Sequence, residues 1–239
     1  MDKPKITTIV VIICIIILGL YAAGEVNYYS SKIAIEKNID SPVVNIPTIG
    51  IEEKINNVSL SQGVMHDAKS FTPTNGDVIL SGHRTLQGSP FLRLNELNNG
   101  DVITLEWPGI GEVNYTVINK TIVEPTARIN TQSNGTHIYL ITCDPIGSTA
   151  HRLIIEGELS DVGPINDKII QNNPHESYAL IITAFLVIGL IFSYFYPKDN
   201  RIYILAIVLI ISAILFYFYL FPIDSNIIYE KILWLNGGM

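Results

Sequence analysis

His137-Ile-Tyr-Leu-Ile-Thr-Cys143 and, nine positions after the cysteine, Arg152-Leu-Ile-Ile-Glu-Gly-Glu-Leu159 decide how this chain is read. Each is a short apolar run rich in β-branched and aromatic residues, and turn formers separate them, which is the pattern of two strands of one sheet. If they pair antiparallel, Cys143 at the end of the first lies beside Arg152 at the start of the second. Working outward, further runs of the same kind are Val43 to Ile51, Asp77 to Ser81, Asp101 to Trp107 and Glu112 to Val123. Asn75-Gly76, Asn99-Gly100, Pro108-Gly109 and Asn134-Gly135 punctuate them. Only Ser89 to Leu97 has a helical look, with Phe91, Leu94 and Leu97 at spacing three. The fold class is therefore all-β, and a barrel is favoured over a sandwich because no long helical crossover is available.

Beyond this domain the composition changes. Mean hydropathy over the chain is +0.34, and the excess sits in three blocks without charged residues: Ile6 to Gly24, Tyr178 to Tyr196 and Ile202 to Ile223. Each is long enough to cross a hydrocarbon core of about 30 Å, so three transmembrane helices are expected. Lys3 and Lys5 flank the first and Lys198 and Arg201 lie between the other two, which places both flanks in the cytoplasm and residues 24 to 177 outside. A cleaved signal peptide ending at Ala22-Ala23-Gly24 is the rival for the first block, whose apolar run exceeds the usual h-region of about 7–15 residues. The expected order is an anchor over 1–24, a polar stalk or lid-like linker over 25–44, the barrel over 45–160 and a linker over 161–177. Membrane segments over 178–196 and 202–223, joined by a cytoplasmic turn over 197–201, and an outer tail over 224–239 complete it. That tail carries Tyr229 and Trp234, side chains that settle at a membrane interface.

The outer region holds ten Lys and Arg against eighteen Asp and Glu, so a nucleic-acid partner is excluded. Four Asn-x-Ser/Thr sequons, at Asn57, Asn114, Asn119 and Asn134, lie in it and carry no functional reading by themselves.

The chemistry starts from cysteine. There are two in the chain, and Cys14 lies inside the first apolar block, where a thiol is a small apolar group. Cys143 is thus an unpaired thiol in an oxidising compartment, a hazard unless it has work to do. Only the thiolate attacks, and a free thiol has a pKa of about 8.5, so a base or cation must be near. Asp77 to Arg84 reads as a strand delivering His83 at its end beside a flexible Gly82. Arg152 supplies a permanent cation for a thiolate or an oxyanion. No Cys-x-x-Cys or His-x-x-x-His spacing joins His66, His137 or His151 to Cys143, so neither a metal nor another cofactor is expected.

Taken together, Ser81-Gly82-His83-Arg84, Leu140-Ile141-Thr142-Cys143 and His151-Arg152-Leu153 resemble the sortases, membrane-anchored cysteine transpeptidases. Asn45 to Ile51 is similar to the family's first strand and Gln62 to His66 to the segment before its Gly-His strand. Tyr139 departs from the threonine usual there. The resemblance implies an eight-stranded closed β-barrel with Cys143 as nucleophile, His83 as general acid/base and Arg152 as oxyanion or substrate stabiliser. Thr142 and His151 would contact substrate. It further implies secreted proteins with a C-terminal signal similar to Leu-Pro-x-Thr-Gly as substrates. An amine of the cell wall or of a pilin-like subunit would be the acceptor, with membrane lipid around the anchors. His151-Arg152-Leu153 and the late membrane segments resemble the pilus-assembling sortases, or class D/E types. Those pilus enzymes carry an Asp-Pro-aromatic lid where this chain has Asp40-Ser41-Pro42-Val43, and Asp144-Pro145 is more like the sortases that anchor single proteins. Two rival readings have less in the sequence. One is a membrane-tethered cysteine peptidase/hydrolase or L,D-transpeptidase working on cell-wall peptides, of which the latter would need Ser-His-Gly-Cys, absent here; the other, an idle binding barrel, would have no use for His83, Cys143 and Arg152 together.

Overall fold

The computed structural model describes residues 5–36, 40–85, 88–171 and 178–221. They fall into two compact units, one holding the apolar segments at either end of the sequence and the other the residues between them.

In the second unit eight strands close into a barrel. They are β1 (Val43–Ile46), β2 (Ile51–Asn56), β3 (Val64–His66), β4 (Val78–Ser81), β5 (Val102–Trp107), β6 (Gly111–Val123), β7 (His137–Asp144) and β8 (His151–Gly163), in the spatial order β1-β2-β3-β4-β7-β8-β6-β5. The pairs β2/β3 and β4/β7 are parallel and the rest antiparallel. Alternation puts one face inside: Ile138, Leu140 and Thr142 of β7 are buried while their neighbours are only half-buried. Val44, Ile46, Leu80, Ile103, Leu105 and Ile155 join them in the core.

The run expected as one strand from Val43 to Ile51 is two. Pro47 has no N–H for a ladder and opens a single 3₁₀ turn, Pro47–Ile49. Gly50, at φ 69°, then reverses the chain in a conformation that a Cβ disfavours, and Ile51 pairs back onto Ile46. β3, three residues long, is too short to show a period of two. The helical look of Ser89 to Leu97 resolves into turns and the 3₁₀ segment Leu94–Glu96, whose three-residue repeat matches the sequence spacing. Phe91, Leu94 and Leu97 are fully buried in the barrel core.

Glu106 is a cost carried by this barrel. It is fully buried near the end of β5, paired in register with Glu112, and Oε2 accepts the Asn166 N–H at 2.8 Å. Burial raises its pKa most; the charges of Glu112 and Asp167 add to this, and the Asn166 amide works against it. A raised folded-state value means that the contribution of Glu106 to stability is full below the unfolded carboxyl range and is lost as pH rises through the folded value. Glu106→Gln keeps an acceptor for Asn166 and removes the charge. Its thermal midpoint at pH 8, followed by circular dichroism of the full chain in detergent, is expected about 2–4 °C above the parent, for roughly 1 kcal/mol. The difference should close by pH 4.

The apolar unit contains α1 (Ile6–Glu36), α3 (Tyr178–Phe195) and α4 (Arg201–Leu220); the short α2 (Asp167–Gln171) follows the barrel. Gly19 lets α1 approach Ile211 of α4, and Gly189 lets α3 approach Val208, close enough that a Cβ on either glycine would collide. Lys5 lies 3.6 Å from Asp199, and Tyr196 donates to Thr8 Oγ1 at 3.0 Å, so the basic flanks meet at one end of the bundle.

Two sequence expectations change here. The stretch 25–36 is not a loose stalk but a continuation of α1, because after Gly24 no glycine or proline interrupts it. Two helices, Ile6–Ser30 and Arg201–Leu220, are long and apolar enough to cross a membrane, rather than three. The apolar part of α3, Leu180–Phe195, is shorter, about 24 Å at 1.5 Å per residue, because Pro197 and the polar turn after it end the helix. The expected outer tail, 224–239, lies outside the described residues, as does 172–177 of the linker.

Candidate active site

Three strand ends converge. β4 and β7 run parallel in register from Val78↔Ile138 to Ser81↔Ile141, and β8 returns antiparallel with Cys143 directly opposite Arg152. The β4/β7 pairing continues past the last strand residue: Gly82 N donates to Ile141 O at 3.1 Å, and Thr142 Oγ1 donates to Gly82 O at 2.8 Å. His83 follows directly in the chain on this segment, which is held against Ile141 and Thr142, and its carbonyl accepts the Phe91 N–H at 3.0 Å. Gly82 is needed for closeness rather than flexibility, since a Cβ there would lie 2.7 Å from the Phe91 ring.

Each expected site residue has a definite place. Cys143 is a free, half-buried thiol, and Cys14 on α1 is free as well. His83 is 8% exposed, and burial lowers its pKa to about 4, so its imidazole is neutral at neutral pH. Arg152 Nη1 donates to Thr149 O and His151 O, both at 3.0 Å. Its guanidinium makes no ion pair among the described residues, so donors remain for a substrate oxygen. His151 is exposed at the rim, with Nδ1 3.6 Å from Glu124 Oε1.

Thr142 differs from expectation. At 2% exposure, with its hydroxyl committed to Gly82, it positions the histidine strand and does not face a substrate. His66 and His137 belong elsewhere: His66 Nε2 lies 3.0 Å from Phe71 O, and His137 opens β7 next to Asp77.

Sequence reading missed three residues that build the site. Arg84 is 5% exposed, forms an ion pair with Asp144, and donates from Nη1 to Cys143 O at 3.2 Å. A cation one residue after the histidine and an anion one residue after the cysteine were the available signal. Asp77, also buried, accepts from Gln132 N at 2.9 Å and His137 N at 3.0 Å, tying the start of β7 to β4.

A cysteine, a buried neutral histidine and an arginine thus stand on three neighbouring strand ends of a closed eight-stranded barrel. The family description for the sortase domain matches residues 34–160, slightly more than half of the chain and all of this site, and the chain belongs to the sortase family. Among solved structures it is similar to sortase C-1 from Actinomyces oris, at 30% identity over 51% of this chain and 73% of that one, with a TM-score of 0.46. It is also similar to a lid mutant of sortase A from Corynebacterium diphtheriae, at 25% identity over 52% and 72%, TM-score 0.47. Sortase C2 of Group B Streptococcus Pilus Island 1 shares 28% identity over 51% and 75%, TM-score 0.45. No curated protein matches the chain.

Proposed function

We propose that this sortase-family chain cleaves a C-terminal sorting signal similar to Leu-Pro-x-Thr-Gly on secreted proteins and passes the acyl group to an amine, of the cell wall or of another protein subunit. The observation that carries the reading is the register pair Cys143↔Arg152, with Gly82, the residue before His83, tied to Thr142. We propose further that the apolar helices anchor the chain in a membrane, with the site on the outer side.

The steps follow from the neutral imidazole. As the Cys143 sulfur forms a bond to the scissile carbonyl carbon, the thiol proton passes to His83. The carbonyl oxygen becomes an oxyanion, and Arg152, with donors left over, is the cation next to it. When the intermediate collapses, the C–N bond breaks, His83 protonates the departing amine, and a thioester remains on Cys143. The incoming amine attacks that thioester, gives a proton to His83 and expels the sulfur, which regains the proton. The exchange of one amide for another needs no oxidant and no second reactant beyond the amine.

The test is mass spectrometry of the full chain in detergent, incubated with Leu-Pro-x-Thr-Gly-like peptides and a small amine. A peptide whose C-terminal part has been replaced by the amine, together with a Cys143 acyl adduct, is the expected result. A folded protein with an alkylatable Cys143 and neither species would overturn the reading. In the same assay Arg152→Ala should lose about 10²–10³-fold in kcat/KM, the scale of one oxyanion donor. Its Cys143 should still react with iodoacetamide, which forms no oxyanion. Full transfer activity in Arg152→Ala would remove the arginine from the reaction.

A further inference from the structure

We infer that Arg84 and Asp144 form a charge-balanced clamp that positions Cys143 and sets how readily its thiol ionises. This rests on reading Cys143 as the nucleophile and adds two positioning residues to that site.

Asp144 follows the nucleophile directly, and Arg84 follows the acid/base directly. The two side chains form an ion pair, with Arg84 at 5% and Asp144 at 18% side-chain exposure. From the same nitrogen, Nη1, Arg84 also donates to the main-chain oxygen of Cys143 at 3.2 Å. One guanidinium therefore holds both the peptide of the nucleophile and the neighbouring carboxylate, from the segment that carries His83. Strand alternation puts Asp144 on the face of β7 that Thr142 occupies and Cys143 on the other.

The electrostatic consequence has a sign. A carboxylate one residue from a thiol disfavours the thiolate, and a partnered cation cancels most of that field. Removing either member of a sheltered pair leaves the other charge uncompensated. Among the described residues, the other ionisable groups that the pairing brings towards Cys143 are His83 from the segment after β4, His151 and Arg152 from β8, and Glu124 just past β6, where Val123 pairs with Arg152. None of these is altered by changes at 84 or 144.

The experiment is the pH dependence of iodoacetamide alkylation of the full chain in detergent, in a Cys14→Ala background so that one thiol is read. Arg84→Met, leaving Asp144 unbalanced, should move the alkylation midpoint to higher pH and slow the reaction at pH 7 about threefold or more. Asp144→Asn, leaving Arg84 unbalanced, should move the midpoint to lower pH. The double variant should return towards the parent. A merely structural pair would move both single variants in the same direction, so unmoved midpoints or shifts of one sign in folded proteins overturn the inference. Should Arg84→Met fail to fold by circular dichroism, Asp144→Asn decides alone: a lowered midpoint supports the clamp and an unmoved one refutes it. Alkylation needs no peptide, so absence of transfer activity in the parent would count against the transpeptidase reading and leave this result standing.

Discussion

Cys143→Ala is expected to abolish amine transfer, with a loss of at least about 10⁴-fold, because without the sulfur no acyl-enzyme forms and the remaining groups have nothing to activate. The thermal midpoint should stay within about 2 °C of the parent, since the thiol is half-buried and makes no disulfide. Both readouts are needed: turnover from the peptide-plus-amine assay, and unfolding followed by circular dichroism. A folded variant that still produces the amine adduct would place the nucleophile elsewhere and dismantle the mechanism at its first step.

The second large effect is expected at His83. His83→Ala should cost about 10²–10⁴-fold in kcat/KM, the usual worth of a positioned acid/base. Its pH behaviour separates this role from a structural one. Because burial depresses the imidazole to about 4, the neutral form able to accept a thiol proton persists well below the ordinary histidine value of 6.5. The acid limb of kcat/KM in the parent is therefore expected near pH 4, and activity should not halve around pH 6.5. The linkage has a matching sign. A histidine with a lowered folded value binds fewer protons folded than unfolded, so its burial costs stability increasingly as pH falls from 6.5 towards 4. His83→Ala should lose less stability than the parent across that window in thermal melts. An acid limb at 6.5, absent from His83→Ala, would mean that the imidazole is solvated during turnover.

Much of this was legible in the sequence, for identifiable reasons. Period-two alternation in β5 to β8 and the glycine turns between them are strong local signals, and they put Cys143 opposite Arg152 before any coordinates. The division at Pro47 was legible in principle but hidden by a continuous apolar run. The parallel pairing of β4 with β7 was not, because it joins residues some sixty positions apart without a turn motif. Thr142 reads as a polar residue beside a nucleophile, and only the register shows that its hydroxyl is committed to Gly82. Arg84 and Asp144 each look like solvated charges until that same pairing brings them together. In α1, helix propensity without a breaker carried the helix past the point where its apolar character ended.

Closure of the barrel has a consequence for recognition. Every one of the eight strands has a hydrogen-bonded neighbour on both sides, so the sheet closes without an edge strand. The route that many peptide-binding domains use, addition of the peptide to an edge strand, finds no whole edge strand here. On the proposed function, selectivity is then expected in side chains and loops next to the paired ends of β7 and β8, such as His151 and the segment 145–150. Those side chains can be exchanged without disturbing any ladder, so the proposed peptide preference would be separable from the scaffold that carries His83 and Cys143.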